Sequence, residues 1–346
     1  MNTRIEITTP DDWHLHLRDG DRMQAVVQHS ARQFGRAIIM PNLTRPVTNT
    51  AMAMAYRDRI LEALPPGNTF QPLMTLYLTD TTSPADIDEA AAEEHVVACK
   101  LYPAGATTHS DAGVTDLRNI YPALQRMAET ELPLLVHGEV TDPRIDVFDR
   151  ESVFIDRVLI PLREQLPELR FVFEHITSSE AVHFVNDQEQ NVAATITPQH
   201  LLLTRNDLLA SGLRPHHYCV PILKSINDKK LLVEAATSGD ARYFLGTDSA
   251  PHARHEKESA CGCAGIYSAH AALELYCEIF DAVGAMDKFE SFAAFNGADF
   301  YGLPRNSGTI TLEKSSWTVP DEYDFAGERL VPLRAGTELA WRLSDD

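Results

Sequence analysis

Short apolar runs recur along the chain, separated by stretches in which apolar positions return at helical spacing. The runs at 13–17, 36–40, 73–78, 96–101, 134–137, 171–174, 192–196 and 243–246 are predicted as strands, and 218–223 as a further extended run. Between them, 116–129, 152–166, 228–237 and 266–280 carry helical spacing, the first with Thr115 or Asp116 as a candidate N-cap. Strands that alternate with helices imply a parallel sheet with crossover helices. About eight such units point to a closed TIM-type (β/α)8 barrel, although a doubly wound open sheet produces a similar pattern. From about Thr309 the runs become short, alternating and broken by Pro and Gly. That tail, 309–346, is expected to be a β or irregular decoration on a single domain spanning 1–346.

The polar residues that interrupt this pattern sit at particular places. His14 and His16 are two apart on the first strand, so both project to one face. Lys100 follows Val-Val-Ala-Cys, His137 follows Leu-Leu-Val, His175 follows Phe-Val-Phe-Glu, and Asp248 follows Leu-Gly-Thr. Each lies at or just past the C-terminal end of a predicted strand, and in a barrel those ends converge on the face that carries the chemistry. Any one of them has an ordinary structural explanation: a strand-end His is commonly a hydrogen-bonded scaffold residue, and a strand-end Lys can reach up to the rim. Together they are hard to explain as core, because burying bare polar groups is costly. Imidazole and carboxylate ligands suit zinc without excluding other divalent ions.

These residues lie in the strings HLHLRD at 14–19, MPNL at 40–43, KLYPAGATTHS at 100–110, VHGE at 136–139, FEHI at 173–176, GTDSAPH at 246–252 and CGCAG at 261–265. The set resembles the amidohydrolase superfamily with a binuclear metal centre and, within it, the shorter bacterial class of dihydroorotases. The similarity runs from about residue 5 to about 305, with no departure at an expected ligand position. The resemblance implies that His14, His16 and Asp248 hold one zinc ion and that His137 and His175 hold the second. Lys100, carboxylated by carbon dioxide to N6-carboxylysine, bridges both. A Lys amine with its ordinary pKa of about 10.4 is seldom neutral in water, so burial and nearby cations must lower it before it can form a carbamate. The implied reaction is the reversible hydrolysis of L-dihydroorotate to N-carbamoyl-L-aspartate, a step of de novo pyrimidine biosynthesis. A bridging hydroxide attacks the ring carbonyl, and Asp248 carries the proton to the ring nitrogen.

The same resemblance assigns the substrate carboxylate to Arg18, Asn42 and His252. It sets His137 and the backbone near Val220 and Ala264 against the ring. It also makes the loop 103–114 a lid that brings the Thr107 and Thr108 hydroxyls to bound substrate. Without it, Arg18 would read as a partner for Asp19 or Asp21, and the loop as a solvated turn. A hydantoinase or dihydropyrimidinase shares the metal centre but need not bind a carboxylate, and Arg18 with Asn42 argues against both. A catalytically dead scaffold relative would be expected to lack ligands that are all present here. The family implies a homodimer.

Charge narrows the partners. With 30 basic against 50 acidic residues the formal charge is −20, and no Lys/Arg cluster offers a face to nucleic acid. The N-terminal stretch is polar, without a signal-peptide pattern, and no apolar run approaches a membrane span. The five cysteines have no framework spacing, which fits a reducing cytoplasm. Cys261 and Cys263 lack a second pair to complete a structural metal site and are expected to be free thiols.

Overall fold

A strand at the N-terminus, β1 (Arg4–Thr8), precedes eight parallel strands that form one sheet in chain order. They are β2 (Asp11–Leu15), β3 (Arg36–Ile39), β4 (Gln71–Tyr77), β5 (Val96–Leu101), β6 (Leu134–Val136), β7 (Phe171–Phe173), β8 (Val192–Ile196) and β9 (Tyr243–Leu245). The computed structural model describes residues 3–188 and 191–344. The ends of the sheet meet where the segment after β9 bonds to β2. Asp248 N donates to His14 O at 2.9 Å, His16 N donates to Ser249 O at 3.2 Å, and the Thr247 hydroxyl donates to Asp12 at 2.6 Å. This is a TIM-type barrel, as the strand count implied.

Alternation along each strand sorts the side chains. Leu76, Leu101, Val136, Phe173, Ala194 and Leu245 face outward into the main core beneath the helices. Ile38, Leu73, Ala98, Leu135, Val172, Ala193 and Phe244 fill the barrel's interior with Trp13, which stacks on Tyr301 at 4.8 Å. Gly297 is required beneath that ring: a Cβ there would lie 2.1 Å from Trp13 Nε1. The helices cover the outside. In Leu117–Thr130, Asp116 caps the first turn, and Ile120, Ala123, Leu124 and Met127 are buried as one apolar stripe.

The tail forms short strands, as expected. One, β10 (Thr309–Glu313), pairs antiparallel with β1 from Arg4↔Glu313 to Thr8↔Thr309, and Arg342–Leu343 pairs on its far side. Among the described residues no helix is long and apolar enough to cross a membrane.

Three expectations need correction. The first barrel strand runs from Asp11 to Leu15 rather than over 13–17. Its polar start is tied down, with Asp11 bonded to Arg36 at 2.6 Å and Asp12 to Thr247, so two buried carboxylates open a core strand. The segment 218–223 is not a strand. Pro221 supplies no donor, and Tyr218 O accepts bonds from Lys257 Nζ and Gly265 N instead of a neighbouring strand. The helix expected over 266–280 begins later, as a 3-10 turn at Ala269–Ala271 followed by Ala272–Ala282, because Ile266 is bridged to Ser249.

Candidate metal centre and substrate cavity

The barrel's upper rim carries the polar set two residues above its apolar filling: Lys100 above Ala98 and His137 above Leu135. On β2 the pairing with β3 shifts between Asp12 and Leu15. There Trp13 joins the filling below, while His14 and His16 share the rim. His14 Nε2 and His16 Nε2 are 3.2 Å apart and lie 3.3 and 3.1 Å from Asp248 Oδ1. The His14 and His175 rings are 5.0 Å apart, and those of His137 and His175 4.9 Å. Lys100 is fully buried at the same centre. All six residues expected as ligands therefore converge. His175 and Asp248 have φ of 42° and 44°, in the left-handed region, so the chain turns sharply at both.

Electrostatics suit a metal. Burial lowers the pKa of His14 against the pull of Asp248, and lowers that of His16 to about 3. Burial likewise holds the Lys100 amine well below its ordinary value. Burial opposes ionisation of Asp248, yet the imidazoles of His14, His16 and His175 keep its carboxyl well below the usual range. Imidazoles at His14, His16 and His175 that burial disposes to stay neutral, an amine ready to lose its proton and an ionised carboxylate suit the deprotonated donor set a metal ion needs. Among the described residues, His16 Nδ1 and His175 Nδ1 are buried with no hydrogen-bond partner. Among the described residues, His14, His16 and Asp248 are grouped tightly enough to hold an ion, and so are His14, Glu174 and His175.

Glu174 is the residue that sequence reasoning missed here. It is fully buried, lies 3.0 Å from His14 Nδ1 through Oε1, and meets Lys100 Nζ through Oε2. Its signal was an acidic side chain between Phe173 and His175 at the end of a core strand.

Above the centre is a cavity lined by Arg18, Asn42, Thr107, Thr108, Val220 and Ala264, with the histidines and Asp248 at its floor. Tyr102, Ala250 and Gly265 also line it, and sequence reasoning did not single them out. Arg18 donates from Nε to Pro251 O at 2.9 Å, and from Nη2 to His252 Nε2 at 2.9 Å. Burial and Arg18 lower the pKa of His252 to about 4, so it accepts as a neutral ring. Asn42 Nδ2 donates to Thr108 O at 3.1 Å, which draws the loop 103–114 over the cavity. The loop is braced internally by Thr107 N donating to Ser110 Oγ at 2.8 Å. All five cysteines are free thiols, Cys261 exposed and Cys263 half-buried.

Comparison with known proteins places this geometry. The model of the amidohydrolase family matches residues 10–328. A dihydroorotase of Laribacter hongkongensis is 62% identical over 341 residues, covering 98% of this chain and 99% of the relative. The solved dihydroorotase of Campylobacter jejuni superposes with a TM-score of 0.91 at 36% identity, covering 99% and 98% of the two chains. A Saccharomyces cerevisiae dihydroorotase solved in complex with 5-fluoroorotic acid gives 0.91 at 32% identity, covering 99% of each.

Proposed function

The chain belongs to the amidohydrolase family and, within it, to the dihydroorotases, and from that premise we propose that it opens and closes the ring of L-dihydroorotate on a two-zinc centre. The observation that carries this reading is the convergence of four imidazoles, Lys100 and Asp248 at the C-terminal ends of the barrel strands, directly beneath Arg18. His14, His16 and Asp248 would hold one ion, His137 and His175 the other, and Lys100, carboxylated by carbon dioxide, would bridge them. When bound, the metals supply a nucleophile made from water at neutral pH and a Lewis acid for the ring carbonyl. Glu174, beside His14 Nδ1, orients that ring so that its Nε2 faces Asp248.

Hydrolysis adds one water across the ring amide, with oxygen going to the carbonyl carbon and hydrogen to the nitrogen. Asp248 takes the proton of the attacking water and hands it to the ring nitrogen as the C–N bond breaks; its ionised carboxyl suits the first half of that task. Arg18, Asn42 and His252 read the substrate carboxylate. Two of the guanidinium's donors are spent on Pro251 and His252, which hold its fork in place, and the others are left for a carboxylate. His137 and the backbone at Val220 and Ala264 meet the ring, and Thr107 and Thr108 close over it as a lid that excludes water. We read the chain as one domain over 1–346, a homodimer working in the cytoplasm, with no nucleic-acid or membrane partner.

Metal analysis beside an assay with L-dihydroorotate tests the centre: about two zinc ions per chain are expected, and full activity in metal-free protein overturns the reading. Arg18→Met tests what reads the carboxylate. Transition-state binding of L-dihydroorotate should weaken by about 2–5 kcal/mol with zinc content unchanged. Residual turnover of dihydrouracil, which has the ring without the carboxylate, should fall much less. An equal fall for both substrates means that Arg18 supports the site generally.

A further inference from the structure

Lys257 ends the short helix Arg254–Lys257 and is 3% exposed. Its ammonium donates to three backbone carbonyls: Tyr218 at 2.7 Å, Cys263 at 2.8 Å and Gly265 at 2.6 Å. The carbonyls come from two separate segments, 218–223 and 261–265, neither of which is helix or strand. Gly265 N bonds back to Tyr218 O at 3.0 Å, so the two segments also touch directly. Each segment supplies one wall of the substrate cavity, Val220 two residues beyond Tyr218, and Ala264 between Cys263 and Gly265.

A buried cation is an expensive way to join two loops, because it must be taken out of water and given carbonyls in place of its hydration. Here all three of its protons are used, and every acceptor is next to, or two residues from, a residue that lines the cavity. An apolar side chain of the same length would fill the space but leave two segments with no ladder between them. We propose that Lys257 is a positioning residue for substrate, tying the two segments together so that the backbone at Val220 and Ala264 meets the ring in register. The inference rests on the reading above that those two backbones face the ring.

Lys257→Met removes the three donors at nearly constant volume, and Lys257→Gln keeps two of them. In Lys257→Met, zinc content and kcat should stay near the wild-type values while KM for L-dihydroorotate rises about tenfold or more, with Lys257→Gln in between. The wild-type protein offers a second measurement that needs no variant. Burial lowers the Lys257 pKa from 10.5 to about 8, amid Arg18, Cys219, Cys263, His216, His252, Tyr267 and the ring of Tyr218. The charged form is therefore present below pH 8 and lost above it, and KM should climb through that range in wild type. Lys257→Met should have a high KM at every pH without that limb. A folded, zinc-loaded Lys257→Met with wild-type KM overturns the inference. A crystal structure of wild type with orotate separates this from the reading beneath it. A ring far from Val220 and Ala264 overturns the contacts themselves, whereas a ring in place with KM unmoved in the variant overturns only the part given to Lys257.

Discussion

The lower and upper halves of the barrel interior are built from the same strands and differ in almost everything else. Below, Trp13, Ile38, Leu73, Leu135, Val172 and Phe244 close on one another as an apolar filling. One inward step higher, β5 carries Lys100 instead of Ala98, and the segment after β6 carries His137 instead of Leu135. The lower half is finished by protein alone, apart from the unpartnered Trp13 Nε1 and Tyr301 hydroxyl. Among the described residues, the upper half leaves His16 Nδ1 and His175 Nδ1 buried without a partner and gives the Lys100 amine only Glu174. A folded protein rarely tolerates several such atoms together unless a ligand meets them. The difference teaches that the strands supply rigid placement to both halves, and that stability below offsets the cost of an unfinished site above.

Exchanging the chemistry of the two halves should separate them. The largest effect is expected from Lys100→Met, which extends the apolar filling one layer upward. Activity should fall to background and metal content should drop, with the circular dichroism spectrum unchanged. Retained turnover at wild-type metal loading would show that Lys100 is filling rather than bridge. Next comes Trp13→Ala, one residue from His14, a proposed metal ligand, yet below the site. It should cost about 3–5 kcal/mol in urea unfolding, while kcat per metal-loaded molecule changes little. A matching collapse of kcat would mean that the two halves are not separable. Smallest is the double change Thr107→Val with Thr108→Val in the loop above both. Here kcat/KM should fall about tenfold, with the unfolding midpoint and zinc content unmoved, and a ligand-bound structure with this loop open and distant would remove the lid role.

Legibility in the sequence followed the same division. Strands at 96–101 and 192–196 were read with their observed bounds, because mostly apolar runs mark strands buried on both faces. The first barrel strand was displaced because it opens on Asp11 and Asp12, whose partners Arg36 and Thr247 lie far along the chain. β1 was not read at all. Its RIEIT pattern is short and half-exposed, and its pairing partner lies some 300 residues away. The proposed ligands stood out in the sequence because each lies at or just past the end of an apolar run. Glu174 was hidden at such an end, next to a histidine that already explained it. Lys257 had no local signal, because its three acceptors are backbone carbonyls, which carry no side-chain identity to be read.

The bonds that close the barrel join Asp12, His14 and His16 to residues 247–249, and one of them spans 235 positions. At a synthesis rate of roughly 5–20 residues per second, the first strand waits about 10–50 s for its neighbour to leave the ribosome. Throughout that interval the edge of the first strand that will meet residues 247–249 has no partner, the kind of edge that invites pairing with a stranger. His14 and His16 are exported early and Asp248 late. The grouping of His14 and His16 with Asp248, proposed to hold one of the two ions, is therefore complete only once the last barrel strand has been made.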